Sequence, residues 1–191
     1  MTDFRSPEDE FRAKGSEWPV PATRLLLPSP VGDLLLNAED GALTGLYFAA
    51  SERAPKADPA PPATGDDGEA LRRAESDEPV LLEARRQLDG YWARERETFD
   101  LPLAPKGTPF QRSVWEALRA IPYGATTSYG EIARRLGNPN AVRAVGLANG
   151  QNPISIVLPC HRVLGADGKL IGYGGGIERK RLLLDHERGF L

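Results

Sequence analysis

Residues 152–163 read Asn152-Pro153-Ile154-Ser155-Ile156-Val157-Leu158-Pro159-Cys160-His161-Arg162-Val163, an apolar run that ends in the chain's single cysteine. The run predicts a buried strand, halted by Pro159, with Cys160 presented at its end. A free cysteine in apolar surroundings is ordinarily an inert small hydrophobe. Three neighbours point the other way here. Pro159 fixes where the chain leaves the strand, His161 is at hand as a base, and Arg162 favours thiolate over thiol. A nucleophilic cysteine needs such help, because at its reference pKa only a few per cent is thiolate at neutral pH. Adjacent residues of an extended strand face opposite ways, so Cys160 and His161 can cooperate only across a bend or through a water.

Downstream, Asp167-Gly168 predicts a hairpin turn, and Gly172-Tyr173-Gly174-Gly175-Gly176 follows. This run lacks the Lys-Ser/Thr of a phosphate-binding loop, which excludes that kind of nucleotide site. Four glycines around one Tyr let backbone line a narrow pocket with an aromatic wall. A last helix carries Ile177, Leu183 and Leu184 and ends at His186-Glu187. From spacing alone, Glu187 is either the group that orients His161 or a solvated charge.

Upstream, Thr108-Pro109-Phe110-Gln111 is a capping box with Pro at the first helical position, opening a helix that buries Val114, Trp115 and Leu118. Ser128 to Glu131 is a second such box, before Ile132, Ala133 and Leu136. Gly137-Asn138-Pro139-Asn140 makes a turn, and Asn140 can cap another helix over 141–149. Two short helices joined by a Gly-containing turn fit a helix-turn-helix, although helical hairpins also serve as plain packing units. Ala141, Ala144, Gly146, Ala148 and Gly150 leave Arg143 as the only long charged side chain of the second helix. A helix that reads sequence in the major groove needs several Arg, Asn or Gln. This one suits close approach to a phosphate backbone or a minor groove, unless Arg143 merely forms a surface salt bridge.

The remaining sequence is less specific. Residues 1–20 read as a disordered arm. Thr23 to Phe48 alternates short apolar runs with Ser29-Pro30, Gly32-Asp33 and Asp40-Gly41, which predicts a β-meander. Residues 51–79, rich in Pro, Ala and Asp, read as a disordered insertion. A helix follows from Pro79 with Leu81, Ala84, Leu88 and Tyr91 on one face, and residues 99–106 form a linker. The fold class is therefore α+β: an α/β N-terminal domain over 21–105 with a small antiparallel sheet, then a mainly helical domain over 106–191 with the helix-turn-helix. At 191 residues, 40% hydrophobic and 27% charged, the composition is that of a globular chain. No apolar stretch reaches membrane-spanning length, and the acidic N-terminus lacks a secretory h-region, so a cytoplasmic location is expected. One Cys and two His exclude an intramolecular disulfide framework and a Cys/His-rich zinc site. The net charge of −3 hides a division: residues 106–191 carry 12 Lys/Arg against 6 Asp/Glu, and residues 1–105 carry 12 against 21. An anionic partner for the basic half is one reading, and uneven surface charge is the other.

Residues 107–187 resemble the DNA-binding and active-site domain of the O6-alkylguanine-DNA alkyltransferases, also called methylated-DNA–protein-cysteine methyltransferases. GTPFQRSVWEALRAIPYG, TSYGEIARRLGNP, AVRAVGLANGQNPISIVLPCHRV and GKLIGYGGGIERKRLLLDHE carry the resemblance, and Asn-Pro-Ile ahead of Pro-Cys-His-Arg-Val is its most specific part. Residues 23–105 resemble the family's variable N-terminal domain more weakly. The resemblance implies cofactor-free, single-turnover repair in which Cys160 takes the alkyl group from O6 of a flipped-out guanine, with O4-alkylthymine a further candidate substrate. His161, through a water, and Glu187 would activate the sulfur, with Asn152 a structural asparagine beside it. Tyr129 would crowd the phosphate and give a proton to the leaving base. Arg143 would fill the gap in the base stack, on a helix whose Ala144 and Gly146 approach double-stranded DNA through the minor groove. Tyr173, Gly174, Val163 and Pro159 would form the lesion pocket. Gly174 stands where many relatives place Ser or Ala, which removes a hydroxyl and widens that pocket. Residues 1–105 hold no Cys or His, so no metal is expected there. The chain is expected to act as a monomer beside the nucleoid, on any DNA sequence, since a lesion occurs in all of them.

Three other classes remain. An alkyltransferase-like protein that only binds damaged DNA would have another residue, commonly Trp, in place of Cys160. A helix-turn-helix regulator with an inert cysteine would read bases, which the smooth second helix argues against. A cysteine hydrolase would need an acyl-binding cleft, of which the sequence gives no sign.

Overall fold

The structure, a computed structural model, describes residues 23–51, 54, 63–64 and 79–190. The expected arm over 1–20 lies outside the described residues, as does most of the expected insertion.

Strands β1 (Thr23–Leu27), β2 (Leu34–Glu39) and β3 (Ala42–Phe48) form the antiparallel meander read from the sequence. Asp40 (φ 53°) and Gly41 (φ 73°) make the β2–β3 turn. Left-handed backbone at both central residues matches the twist of the flanking strands, which is why Asp-Gly favours hairpins. A fourth strand, β4 (Ala63–Thr64), pairs parallel with β1 and gives the order β3-β2-β1-β4. These two residues correct the expectation of disorder at that point of 51–79. Helix α1 (Pro79–Trp92) buries Val80, Leu81, Ala84, Leu88 and Tyr91, its 3–4 spaced face, as the sequence required.

Helix α2 (Pro109–Arg119) opens on the capping box in full: the Gln111 amide N–H donates to Thr108 Oγ1, and the Thr108 N–H donates to Gln111 Oε1 at 2.7 Å. Helices α3 (Tyr129–Arg135) and α4 (Val142–Gly150) form the helix-turn-helix, with Gly137 at φ 73° in the turn. Trp115 Nε1 donates to the Ala148 carbonyl at 2.8 Å and ties α2 to α4. Ser128 caps α3, but the Glu131 carboxylate pairs with Arg134 and Arg135. The expected Asn140 cap is corrected: Ala141 occupies the cap position of α4, with no side-chain hydrogen bond. Helix α5 (Ile177–Glu187) closes the domain.

The expected strand over 152–158 is not formed. Ile154 makes a single bridge to Leu46, with the Leu46 N–H donating to the Pro153 carbonyl and the Ser155 N–H donating to Leu46. The chain then coils, with Leu158 N–H returning to the Ile154 carbonyl and buried Ile156 at φ 70°. Left-handed backbone at a β-branched residue costs about 1–3 kcal/mol and persists only where the surroundings over-determine it. Here they do. Asn152 Nδ2 donates to the Leu158 carbonyl at 2.7 Å, and Asn152 Oδ1 accepts from the Ile154 N–H at 3.0 Å. The hairpin expected at Asp167-Gly168 is corrected as well. The turn forms, but strand β6 (Val163–Leu164) pairs instead in parallel with β5 (Thr127–Ser128).

Candidate active site

The coiled loop delivers Cys160 into one turn of 3-10 helix, Cys160–Arg162. This bend, rather than a strand end, lets consecutive side chains serve one site. Cys160 is 5% exposed. It adjoins a narrow cleft of about 10 Å³ that is also lined by Asn149, Asn152, Tyr173 and Gly174 and, from the N-terminal domain, Tyr47 and Phe48. Asn152 Nδ2 lies 3.1 Å from Cys160 Sγ and donates to it, so the amide that shapes the loop also touches the sulfur.

Behind the sulfur, His161 is fully buried, with Nε2 2.7 Å from Glu187 Oε1. Burial pushes the imidazole below its ordinary value against the pull of Glu187, and the Arg162 and Lys180 charges lower it further. A ring that is neutral at pH 7 must carry its proton on Nε2, because the carboxylate only accepts. Nδ1 is then a bare lone pair, and it has no partner among the described residues.

Glu187 is the hub of this buried set. Its oxygens accept from Arg162 Nε at 2.9 Å, Arg162 Nη2 at 2.9 Å, Tyr91 Oη at 2.9 Å and the Gly124 N–H at 3.0 Å, besides His161. Burial alone would raise the carboxyl, but the hydrogen bonds and charges of His161 and Arg162 outweigh it and hold the group well below the usual carboxylate range. It is a carboxylate at any pH where the protein works, not a solvated terminal charge. Arg162, read from the sequence as a partner of the thiolate, instead clamps Glu187, and its Nη1 donates to the Ile121 carbonyl at 2.6 Å.

Tyr173 lines the cleft. Burial and then the Cys160 charge push its phenol well above the ordinary value, so it keeps its proton. Tyr129 is raised by the same two causes in the same order. Its hydroxyl donates to the carbonyls of Ile171 and Gly172 at 3.1 and 3.2 Å, pinning the start of the glycine loop. Gly175 has a steric reason: a Cβ there would meet the Phe48 ring at 2.5 Å. Pro159 and Val163, expected in the lesion pocket, are not among the residues that line this cleft. Pro159 faces a separate hollow with Tyr123 and Arg162, and the Val163 carbonyl accepts from Lys180 Nζ at 2.6 Å.

Arg143 and Ala144 are exposed on α4, and Gly146 is half-buried. Arg143 makes no ion pair among the described residues, so the salt-bridge reading has no support. Leu147, 63% exposed, makes that face less smooth than its small residues suggested. Sequence reasoning missed Tyr91, Gly124, Lys180, Tyr47 and Phe48. Lys180 is fully buried, donates also to the Ile171 carbonyl, and is pulled down to about 8 by burial. Among the described residues no three His, Cys, Asp or Glu cluster as metal ligands, and no helix is long and apolar enough to cross a membrane.

Residues 109–189 match the family description "6-O-methylguanine DNA methyltransferase, DNA binding domain", and residues 24–105 match "6-O-methylguanine DNA methyltransferase, ribonuclease-like domain". A methylated-DNA–protein-cysteine methyltransferase of Methanosarcina acetivorans is 46% identical over 162 residues, 85% of this chain and 96% of that one. One of Mycolicibacterium paratuberculosis is 48% identical over 84% of this chain and 88% of that one. The crystal structure of Mycobacterium tuberculosis OGT in complex with DNA superposes with a TM-score of 0.72 at 45% identity, covering 88% of this chain and 94% of that one.

Proposed function

The chain belongs to the 6-O-methylguanine DNA methyltransferase family, and on that footing we propose that Cys160 is the acceptor in direct reversal of guanine O6-alkylation in double-stranded DNA. The observation that carries this reading is the setting of the cysteine: an amide N–H on Sγ, and at the next residue a buried imidazole whose Nε2 lies 2.7 Å from Glu187.

In this reaction Nδ1 of His161 takes the thiol proton through a water, and Glu187 steadies the imidazolium that forms. The Asn152 N–H supports negative charge on sulfur. The sulfur attacks the alkyl carbon in line; the S–C bond forms as the C–O6 bond breaks, and the electron pair leaves on the guanine. Tyr129 donates a proton to that base. A thioether is a poor leaving group, so the alkyl group stays and each molecule acts once.

The cleft is narrow as it stands, with the Phe48 and Tyr173 rings edge-on at 5.9 Å between centroids. A purine therefore enters by displacing the glycine loop, whose Gly172 (φ 51°) and Gly176 (φ 91°) are suited to bend. Tyr129 must leave the loop carbonyls to reach the leaving base, which couples lesion entry to proton supply. Arg143 and the small residues Ala144 and Gly146 support binding through the minor groove without sequence preference, with Arg143 filling the vacated stack. Residues 106–191 carry the DNA and the chemistry, and the N-terminal domain over 21–105 supplies one wall of the cleft. The protein works as a monomer, in the cytoplasm against the nucleoid. The damage-binding alternative is disfavoured because the cysteine is present.

The test is to incubate the protein with a duplex containing O6-methylguanine and weigh the peptide that bears Cys160. A methyl increment there, absent in Cys160→Ser, supports the proposal; an unmodified peptide after loss of the lesion overturns it.

A further inference from the structure

Arg179 lies half-buried in the first turn of α5. Its guanidinium divides its donors between the two domains. Nη1 donates to the Gly175 carbonyl at 2.9 Å, and Nε donates to the Val31 carbonyl, between β1 and β2, at 2.9 Å. The guanidinium carbon also stands 5.3 Å from the centre of the Phe48 ring. Gly175 belongs to the glycine loop and Phe48 to the N-terminal domain, and both line the cleft beside Cys160. Arg179 itself does not line it. One side chain, set back from the site, therefore fastens one wall of the cleft to the other.

The way it is held differs from that of Arg162. Arg162 is clamped to a buried carboxylate and cannot leave without stranding charge. Arg179 forms no ion pair among the described residues. Its partners are two neutral carbonyls and a ring face, contacts that hold a cation but that water can replace. A planar fork can span two carbonyls and lie over a ring at once, which a point charge cannot. The bridge is thus firm and releasable. Between the fastened walls the cleft is about 10 Å³, room for little more than one water, so the walls must part when an alkylated purine enters. We infer that Arg179 is a positioning residue whose bridge between the glycine loop and the N-terminal domain sets how far the cleft opens, and hence how bulky an alkyl group Cys160 can take. This rests on the alkyl-transfer reading above and adds to it the residue that limits alkyl bulk.

The test compares rates of transfer to Cys160 from duplexes that carry O6-butylguanine or O6-methylguanine, in wild type, Arg179→Met and Arg179→Lys. Met keeps an unbranched stem and removes the fork, and Lys keeps the charge as a single point donor that cannot span both walls. The intrinsic reactivities of the two lesions are common to all three proteins, and a ratio taken within one protein is insensitive to loss of folded material. The butyl-to-methyl ratio is expected to rise roughly 5- to 50-fold in Arg179→Met and by a smaller factor in Arg179→Lys. Should Arg179→Met fail to fold, the Lys variant decides. A wild-type or lower ratio in the folded variants, or loss of both reactions from them, overturns the inference and marks Arg179 as a structural tie. No alkyl group on Cys160 of wild type from either duplex overturns the functional reading beneath it.

Discussion

The side of Cys160 that faces the protein interior and the side that faces the cleft differ in how completely their polar atoms are matched. Inside, Glu187 accepts from Arg162, His161, Tyr91 and a backbone amide, and Lys180 is spent on two carbonyls. On the cleft wall, Asn149 Oδ1 has no hydrogen-bond partner among the described residues, the Tyr173 hydroxyl sits beside Cys160, and the wall is a glycine loop. Apart from the bare Nδ1 of His161, the buried inner network is matched, and it holds one geometry, since any rearrangement exposes a charge to low dielectric. An unsaturated wall can bind, because a ligand supplies what is missing. One sulfur atom therefore has a fixed activating side and an adaptable receiving side.

The sharpest way to break this contrast is at His161. His161→Gln removes the bare lone pair and should slow methyl transfer by roughly 100- to 10,000-fold in single-turnover kinetics. A rate within tenfold of wild type would mean the imidazole only fills space. Glu187→Gln strikes the fixed side as structure. It leaves the Arg162 guanidinium buried without its counter-charge, and urea unfolding should register a loss of about 3–5 kcal/mol.

On the receiving side, Gly175→Ala drives a methyl into the Phe48 ring and should cost about 1–3 kcal/mol. Transfer should slow as well, while the pH dependence of stability stays that of wild type. That dependence is the mildest probe. The folded imidazole of His161 is held below its ordinary value, so the unfolded chain takes up that proton first and stability declines as pH falls below about 6.5. The contribution of Glu187, whose folded carboxyl is held low, is complete above about pH 4.5 and is lost as pH falls toward the folded value. Each group contributes a slope of at most about 1.4 kcal/mol per pH unit, and His161→Gln should flatten the upper part of the curve.

What the sequence disclosed follows the same division between local and long-range causes. Asp40-Gly41 and the Thr108–Gln111 capping box act within four residues, and both were legible. The apolar run over 152–158 satisfied a strand pattern, but Asn152 and Leu46 bend it into a loop, and no periodicity reports a tertiary hydrogen bond. Arg162 and Glu187 are 25 residues apart, and Tyr91 and Glu187 are 96 apart. Glu187 was therefore reached through the family resemblance, and Tyr91 was read only as part of a helix's apolar face. Pro159 and Val163 were placed in the pocket by resemblance, and neither is among the residues that line the cleft as it stands. The strand end bearing Tyr47 and Phe48 was read only as part of a variable domain, yet it forms a wall of the cleft.

The most direct measurement of the central claim is a titration of the protein with excess duplex whose O6-methyl groups carry an isotopic label. The account expects the label on protein to plateau at one methyl per chain, all of it on the sulfur of Cys160. Label that accumulates on another residue, or lesions that continue to disappear after every chain has reacted once, would contradict it.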